Sequence, residues 1–561
     1  MSLQSGLYVG TSGLQTSQNA LNTVAHNLSN IDTEGYTRQQ IGLSDKIYNR
    51  LSKSAAVAPQ QTGLGVTYSK VRQIRDFFLD RSYREEVGRL SFYEASYESI
   101  REVETILGEM NGAAFNESLS SLWSAVQEAS KDPANSVIQG LIVQRASTFL
   151  QNASSVYTSL CDYQDNLNLH AQELVADINK YSGEIHSLNQ EITKIEVGGT
   201  EAANDLRDRR NYYLDKLASI ANISYTEDYY GSVSVKLEGV ELTNHDYCYE
   251  IGMKLDPTTG FYTPFWKQNA SSFVNDLGER EYDITGAEVF SFKEEIASEM
   301  DTDIGELKAV LLARGDRRAN YTDLLDKEHY NDVIVDSVIV NVEAEFDHLV
   351  HSIVRKINDL LAESSDVASG YMCNADGSPV QLFEKLVTPG YEQTGTDASG
   401  NPIWTFIEEQ DGSDGLHVDS STLYTISNLK INQSLLQSPA KLGFVKQDGK
   451  VDYDTMNRIK AAFDEVAYCL NPNMVKFSNF ADFYSDLVAQ VGNDGAVFKS
   501  LYENQDITVT STENARQQIV GVSSDEELSQ MIRFQNAYNA SSRFINVIDE
   551  MLEHLVSTLG A

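Results

Sequence analysis

The sequence is poor in cysteine and has no long apolar run. Its four cysteines, Cys161, Cys248, Cys373 and Cys469, lie far apart, so no CxxC pair or zinc-ligand spacing occurs. This spacing excludes zinc ribbons and CxxC redox motifs, and it argues against a disulfide framework. No stretch approaches the ~20 apolar residues of a membrane-spanning helix. The first residues have neither the basic nor the apolar region of a cleavable secretory signal, so none is expected.

Positive charge is also scarce. The chain has 43 Lys and Arg against 82 Asp and Glu, which gives a net charge of −39. Such a surface repels a phosphate backbone and an anionic bilayer, so neither nucleic-acid binding nor membrane insertion is expected. Residues 1–75 differ from the rest, because their seven basic and three acidic residues give a net charge of +4. The acidic surface therefore belongs to the remainder of the chain.

Recognisable catalytic motifs are absent as well. The sequence has no GxSxG, P-loop, GxGxxG or HExxH, and none of its nine histidines sits in a motif that pairs it with a plausible nucleophile. Without such a constellation, the sequence predicts a mechanical or assembling protein rather than an enzyme. No catalytic, cofactor-binding or metal-binding residue is expected.

Three short motifs resemble binding sites but are not interpreted as such. Glu345, His348 and His351 have the one-turn spacing of some metal sites, but the motif is a lone copy and is interpreted as the solvated shoulder of a helix. Residues 411–419 collect acidic side chains but lack the alternation and the terminal Glu of a calcium loop. Residues 314–316 read Arg-Gly-Asp and are interpreted as the charged end of a helix.

What the sequence does contain is helical periodicity, beginning at the N-terminus. Apolar residues recur at heptad spacing and define an N-terminal assembly seam. Its members are Leu3, Leu7, Leu14, Leu21, Val24, Leu28 and Ile31. Gly10 and Ser17 occupy two of the heptad positions, and glycine costs up to ~1 kcal/mol in a helix interior. This helix is therefore expected to need partners.

The C-terminus carries a second seam of the same kind. Its members are Met531, Phe534, Tyr538, Ile545, Ile548, Leu552, Leu555 and Leu559. Burying such a side chain is worth ~1.5–3 kcal/mol, so leaving the whole seam in water would be unfavourable. Periodicity alone leaves two solutions open: the two terminal helices pack on each other, or they pack on neighbouring subunits.

The interior alternates between helical and β patterns. The residues from Leu160 to Ile195 predict a long rod-like helix, and those from Asn204 to Ile220 predict its returning arm. Another helix is predicted over residues 335–361, and helices resume near Asp454. Between these helices, apolar residues recur at every second position, which predicts β structure over residues 223–295 and again over 366–440.

The fold class predicted from this order is a multidomain, mainly α protein. Long coiled-coil-like helices from both termini form a helical shaft, with mostly β insertion domains nested in it. The predicted divisions are 1–75 (assembly and export segment), 76–222 (helical domain with the long coiled coil), 223–300 (β insertion), 301–365 (helical domain, continued), 366–440 (second β-rich insertion), 441–520 (helical domain, continued) and 521–561 (assembly helix).

Both ends of the chain resemble bacterial flagellar axial proteins. The segment LNTVAHNLSNIDTEGYTRQQ (21–40) resembles the N-terminal signature of rod, hook and hook-associated proteins, with Asn27, Asn30, Gly35 and Tyr36 as its signature residues. Residues 521–556 resemble the C-terminal helix of that group. Interior stretches over 204–218, 305–317 and 479–492 narrow the resemblance to the hook-associated protein 1 family, whose members form the hook–filament junction.

This resemblance implies a structural role without a cofactor. The terminal helices would form an inner tube, the next helical domain its wall, and the β domains the outer surface. The implied partners are further copies in a ring, the hook protein, the second junction protein, an export chaperone for the C-terminal seam and the type III export apparatus. Export by that apparatus without cleavage would place the protein outside the cell, at the junction.

Three rival interpretations stay open at this point. Another axial protein, such as a hook, rod or second junction protein, shares one or both terminal patterns. A secreted coiled-coil adhesin could carry β domains that bind a host or a matrix. An enzyme embedded in residues 223–440 is the third.

Overall fold

The computed structural model describes residues 3–46, 49–50, 61–110, 112–199, 202–274, 280–292, 296–397, 400–410 and 420–559. The chain divides into two compact units. Unit 1 contains residues 1–90, 176–251 and 504–561, and unit 2 contains residues 91–175 and 252–503. No helix within the described ranges is long and apolar enough to cross a bilayer.

Helices dominate, so the predicted fold class is confirmed. The α-helices of the described residues are α1 (Leu3–Ser29), α2 (Phe77–Thr105), α3 (Gly112–Ala129), α4 (Ser136–Glu196), α5 (Asn204–Ile220), α6 (Glu306–Arg314), α7 (Lys327–His329), α8 (Val338–Glu363), α9 (Gln433–Gln437), α10 (Tyr453–Asp464), α11 (Phe480–Val520) and α12 (Ser524–Leu559). The long rod-like helix α4 begins well before the predicted Leu160 and ends just before Gly198 and Gly199.

The strands are short and form small antiparallel sheets. They are β1 (Gln39–Asp45), β2 (Asn49–Arg50), β3 (Gln61–Thr62), β4 (Val66–Gln73), β5 (Ile223–Glu227), β6 (Val233–Leu237), β7 (Val240–Thr243), β8 (Ile251–Leu255), β9 (Tyr262–Trp266), β10 (Ser271–Val274), β11 (Arg280–Asp283), β12 (Phe383–Lys385), β13 (Tyr391–Thr396), β14 (Pro402–Phe406) and β15 (Leu429–Ile431). The paired strands are β1–β4, β2–β3, β5–β6–β7, β8–β9, β10–β11, β12–β15 and β13–β14. Both predicted β regions therefore contain strands, while the seven-part division of the chain stays a prediction.

In unit 1, α5 packs back against the C-terminal part of α4, as predicted for a helical hairpin. Leu188 and Ile192 of α4 pack with Leu206 and Tyr213 of α5. The charged side of α5 is not all in solvent, because Arg210 is 1% exposed. Its Nη1 donates hydrogen bonds to Asn189 Oδ1 (3.0 Å) and to a backbone carbonyl at the turn before β6.

In unit 2, α8 is the central helix. The apolar side chains along one face of this helix, from Ile339 to Leu360, are buried. The Phe346 ring lies 4.9 Å from Phe115 and 6.4 Å from Tyr484, and Tyr484 donates a hydrogen bond to the Leu107 carbonyl (2.6 Å). Aromatic side chains from separate helices therefore meet on one face of α8.

The interpretation of Glu345, His348 and His351 as a solvated shoulder is wrong. Glu345 is fully buried, and its carboxylate accepts hydrogen bonds from Asn471 Nδ2 (2.7 Å) and Gln490 Nε2 (3.1 Å). Burial lowers the pKa of His348 to about 4 and that of His351 to about 3, so both rings are neutral at pH 7. No three His, Cys, Asp or Glu side chains in the described ranges are placed to share a metal ion.

The interpretation of the Arg-Gly-Asp motif needs a smaller correction. α6 does end at Arg314, and Gly315 follows with φ 74°. However, Arg314 is buried, and its Nη1 donates to Asn168 Oδ1 (2.8 Å) and to the Tyr262 carbonyl (2.9 Å). Arg314 at the end of α6 is therefore hydrogen-bonded inside unit 2 and does not lie in solvent. The acidic run 411–419 lies outside the described residues.

The buried carboxylates of α8 predict an unusual pH dependence. Burial raises the pKa of Glu345 from 4.5 to about 8, and burial raises that of Glu343 by the same amount. Below about pH 6.5 the two neutral histidines of α8 offset this effect, because the unfolded chain protonates them. Between about pH 6.5 and 8, folded unit 2 holds more protons on Glu343 and Glu345 than the unfolded chain does, so its stability falls as pH rises through this window. Glu345→Gln is expected to make the thermal midpoint less sensitive to pH, and Glu343→Gln/Glu345→Gln less sensitive still. An unchanged slope in calorimetric scans across this window would contradict the expectation.

Candidate assembly site

The two terminal helices pair with each other within unit 1. Small residues of α1 face larger residues of α12 in an antiparallel arrangement. A Cβ added at Gly6 would lie 2.8 Å from Ile548 Cδ1, and one added at Gly10 would lie 2.6 Å from Ile545 Cγ1. The sequence suggested that Gly10 weakens the helix. The structure adds that glycine at this position allows the two helices to approach closely.

The predicted C-terminal seam faces α1. Ile548 is 4% exposed, and the following side chains are half-buried: Met531, Phe534, Tyr538, Ile545 and Leu552. Leu555 is 43% exposed. Leu559 is the last residue of α12, and its side chain lies outside the described part of the chain.

The predicted N-terminal seam is only partly buried. Val24 is buried, whereas Leu3, Leu14, Leu21 and Leu28 are half-buried. Leu7 is exposed, and Ile31 is exposed beyond the end of α1. The most buried face of α1 consists of small residues: Gly6, Gly10, Ser17 and Ala20. Larger apolar side chains therefore lie beside the contact with α12.

A second apolar face of α12 is left in solvent. We call Val547, Met551 and Leu555 the outer stripe; their spacing of four residues puts them on one side of the helix, and they are 43–53% exposed. Leu555 also belongs to the predicted C-terminal seam, whereas Val547 and Met551 do not. α12 thus has one apolar face covered within the chain and one that is open to a further partner.

Asn27, one of the predicted signature residues, is the centre of a buried polar junction. Its Nδ2 donates to the Gln39 carbonyl (2.9 Å) and to Glu527 Oε2 (3.1 Å). Its Oδ1 accepts from the Tyr36 hydroxyl (2.8 Å) and from the Gln39 N–H (3.0 Å). One fully buried amide therefore joins α1, the loop after it, β1 and the first turn of α12.

Arg38 and Glu527 complete this junction. Arg38 Nε donates to Glu527 Oε1 (2.8 Å), and its Nη1 lies 2.8 Å from Glu526 Oε2. The Arg38 N–H also donates to the Val520 carbonyl at the end of α11 (2.9 Å). Sequence reasoning did not single out either residue, although the acidic start of the C-terminal helix is visible in the sequence.

The other signature residues shape a cleft beside the junction. The cleft has a volume of about 560 Å³. It is lined by His26, Asn30, Thr33, Glu34, Gly35, Tyr36, Asp205, Asp208, Arg209, Tyr212 and Tyr213. Gly35 has φ 78° and lies against Tyr212, where a Cβ would come within 3.3 Å. Burial and then the nearby Asp208 and Asp205 carboxylates raise the pKa of Tyr36, so its hydroxyl stays a hydrogen-bond donor.

Asp208 connects this cleft to the strands of unit 1. It accepts hydrogen bonds from the Thr37 N–H (3.2 Å) and from Gln73 Nε2 (2.6 Å). Burial raises its pKa to about 7, although the bonds from Thr37 and the charge of Arg75 act in the opposite direction. Asp208 was not among the predicted site residues, because the charged pattern of α5 does not reveal which carboxylate is buried.

A buried ionic network holds α2, α5 and α11 together in unit 1. Arg516 Nε lies 2.9 Å from Asp80 Oδ1, and its Nη2 lies 2.7 Å from Asp215 Oδ2. Arg75 binds the other Asp80 oxygen (2.9 Å), and Arg84 binds the other Asp215 oxygen (2.6 Å). Burial alone would raise the pKa of Asp80, but Arg75 and then Arg516 lower it below its usual value.

The junction at Asn27 gives a direct prediction. Asn27→Asp would replace a donor to Glu527 with a second buried carboxylate, so we expect unit 1 to lose about 2–3 kcal/mol of unfolding free energy at neutral pH. The control is Asn22→Asp, which adds the same charge on an exposed face of α1. Thermal unfolding and amide exchange at residues 36–39 measure the difference. Equal effects of the two variants would contradict the role of Asn27.

Three family models match segments of this chain, and two of them include the terminal helices. The model described as "Flagellar hook-associated protein FlgK helical domain" matches residues 100–372. The "Flagella basal body rod protein" model matches residues 7–37, which include most of α1 and the signature. The "Flagellar basal body rod FlgEFG protein C-terminal" model matches residues 516–558, which include Glu527 and nearly all of α12.

Curated relatives match over nearly the whole chain. Flagellar hook-associated protein 1 of Bacillus subtilis is 24% identical over 99% of this chain and 98% of its own length. Those of Salmonella typhimurium and Escherichia coli are 23% identical over 97% of this chain and 98% of theirs. This chain belongs to the flagellar hook-associated protein 1 family. The family is one of structural flagellar proteins, which places the chain in the flagellum.

A solved structure supports the family's fold. The flagellar hook junction protein FlgK of Burkholderia pseudomallei superposes with a TM-score of 0.53 at 12% identity, over 79% of this chain and all of that one. The segments that match flagellar rod proteins contain most of both terminal helices. They also contain Asn27, Tyr36 and Glu527 of the polar junction.

Proposed function

We propose that this chain is a structural subunit of the hook–filament junction, where copies of it form a ring in the flagellar axis and allow the filament to assemble on the hook. One observation carries the proposal: α12 keeps an apolar outer stripe after its other apolar face has paired with α1. An apolar stripe on a helix indicates a contact with another protein. In an axial flagellar family, that contact is a neighbouring subunit.

The partners follow from this role. Further copies, the hook protein and the second junction protein would contact the assembled ring. Before assembly, an export chaperone would cover the apolar C-terminal helix, and the type III export apparatus would deliver the chain outside the cell. Residues 1–75 and 521–561 act as assembly segments, the helical parts form the wall, and the two β-rich insertions face outwards.

Tagging and deletion test the proposal together. Tagged protein should lie on isolated flagella at the boundary between hook and filament. A strain that lacks the chain should form hooks without filaments and release flagellin into the medium. Filaments of normal number on the deletion strain, or the tag along the hook or the rod, would refute the junction role.

A further inference from the structure

The hairpin of β1 and β4 in unit 1 has an exposed face that is both apolar and basic. Tyr68, Lys70 and Arg72 alternate along β4, so their side chains leave the strand on one side, and all three are exposed. Leu43 pairs with Tyr68 across the hairpin and is 53% exposed. We call these four residues the hairpin face. Tyrosine and arginine are enriched at protein interfaces, so this face fits a contact with another protein.

The positive charge of the hairpin face is not matched within the chain. Neither Lys70 nor Arg72 forms an ion pair with any residue in the described ranges. Glu196 is an acidic neighbour of Lys70, but Arg207 already binds both of its oxygens (2.8 and 2.7 Å). Asp45 lies at the end of the hairpin that is far from Arg72. Two exposed cations are therefore left for a partner.

The first turn of α12 presents the opposite charge. It holds three carboxylates, Asp525, Glu526 and Glu527, and Arg38 is the cation that binds the last two. Glu527 is buried, whereas Asp525 is exposed and has no ion pair in the part of the chain that the structure describes. One arginine does not neutralise three carboxylates, so this end of α12 keeps unmatched negative charge.

Exposed apolar side chains accompany these carboxylates. Leu528 is 45% exposed and Ile532 is 60% exposed. Together with Asp525 they are spaced by three and four residues, which puts all three on one side of α12. We call these three residues the α12 start face. Like the hairpin face, it combines apolar side chains with charge, but the charge has the opposite sign.

The two faces lie at the same height along α1. The hairpin runs beside α1 from Ser12, whose Oγ accepts from the Val66 N–H (3.3 Å), to Asn27, whose Nδ2 donates to the Gln39 carbonyl (2.9 Å). The same Nδ2 donates to Glu527 at the start of α12 (3.1 Å). Two copies that stand side by side would therefore bring these faces together without a displacement along the helix axis.

We propose that the hairpin face of one copy binds the α12 start face of a second copy. This inference rests on the proposed ring of identical subunits. Lys70 and Arg72 would meet carboxylates, while the apolar side chains of the two faces cover each other. Because the two faces differ, the contact is heterologous, and such contacts repeat from copy to copy and form a ring when the rotation closes. Opposite charges also favour this contact between copies that otherwise repel each other through a net charge of −39.

Exchanging the charges tests the contact. Lys70→Glu/Arg72→Glu places carboxylates against Asp525, so it should lower the fraction of cells with filaments about tenfold or more, while secretion of the variant continues. Adding Asp525→Lys to this double variant should restore filaments, because opposite charges face each other again. The matched control is Lys180→Glu, at a lysine that is 65% exposed in the same unit, and it should keep normal filaments.

Cross-linking in assembled junctions identifies the partner. A zero-length carbodiimide joins an amine to a carboxylate within contact distance. Junctions isolated from the unmodified strain should give a species of twice the 62.4 kDa chain mass, in which Lys70 is joined to Asp525 or Glu526 of another copy. Lys70→Arg keeps the charge but removes the amine, so this variant should form filaments without that product. If Lys70 is joined to the hook protein or to the second junction protein instead, the second-copy assignment is wrong.

The outcomes separate this inference from the proposed function. If the unmodified chain is missing from isolated junctions, the proposed function fails. If it is present, but Lys70→Glu/Arg72→Glu supports normal filaments and no dimer is cross-linked through Lys70, only the contact between the two faces is refuted. The thermal midpoint of the purified double variant should equal that of the unmodified chain. If it is lower, the cross-link of the unmodified chain and its Lys70→Arg control decide alone.

Discussion

The Ile548→Asp variant is expected to lose the pairing of α1 with α12 and, with it, filament attachment. Ile548 is 4% exposed and lies against Gly6, so the new carboxylate would enter an apolar contact without a partner. We expect a cost of about 3–5 kcal/mol in each copy. Limited proteolysis of the purified chain should cut both ends earlier than in the unmodified protein. Cells should secrete flagellin and carry hooks without filaments.

Neighbouring positions of α12 provide matched controls. Val547→Asp places the same charge on the outer stripe, where Val547 is 46% exposed, so the isolated chain should resist proteolysis normally while filament attachment fails. Asn546→Asp changes an exposed polar residue and should affect neither assay. Normal filaments on both Ile548→Asp and Val547→Asp strains would refute the assembly role of this helix. Early proteolysis of Val547→Asp would show that the outer stripe is part of the fold instead.

Arg516→Met is expected to destabilise unit 1 more than any other substitution in its ionic network. Arg516 is 10% exposed and binds both Asp80 and Asp215, so methionine would leave the buried Asp80 and the half-buried Asp215 carboxylates short of a partner. Breaking a buried ion pair costs about 3–5 kcal/mol, because the remaining charge stays desolvated. Thermal unfolding monitored at neutral pH, together with amide exchange over residues 204–220, measures the loss.

The control for this prediction is Arg209→Met. Arg209 lies on the same helix as Asp215 but is 59% exposed, and its ion pair with Glu184 is long at 3.6 Å. Exposed pairs contribute about 0–1 kcal/mol, so this variant should unfold almost like the unmodified chain. The effect of Arg516→Met should also shrink at acid pH, since protonated carboxyl groups no longer need the guanidinium. Similar losses for the two variants would contradict the network.

Much of the candidate site was predictable from the residues. The heptad spacing predicted both terminal helices, and the C-terminal seam of Met531 to Leu552 is the face that meets α1. Asn27 and Tyr36 were chosen by resemblance, and they lie together in one hydrogen-bond junction. These features depend on spacing along one helix or one loop, which a sequence displays directly.

Other features could not be predicted because they join distant parts of the chain. Glu527 meets Asn27 across 500 residues, and Asp80 meets Arg516 across 436. Glu345 was wrongly interpreted as solvated, because a carboxylate on a helix gives no sign of the amides of Asn471 and Gln490 that surround it. Whether a charged side chain is buried depends on the residues that pack around it, and these residues come from other parts of the chain.

The sequence by itself determined the helical class, the seams at both termini and the acidic surface, because periodicity and composition are local or additive properties. Only the tertiary structure decided that α1 and α12 pair with each other, with Gly6 and Gly10 at the contact, and that α12 keeps a second apolar face. The same heptads could satisfy either an intramolecular or an intermolecular contact. The close approach of the two helices at Gly6 and Gly10 satisfies one face of α12 within the chain, and the other apolar face stays exposed.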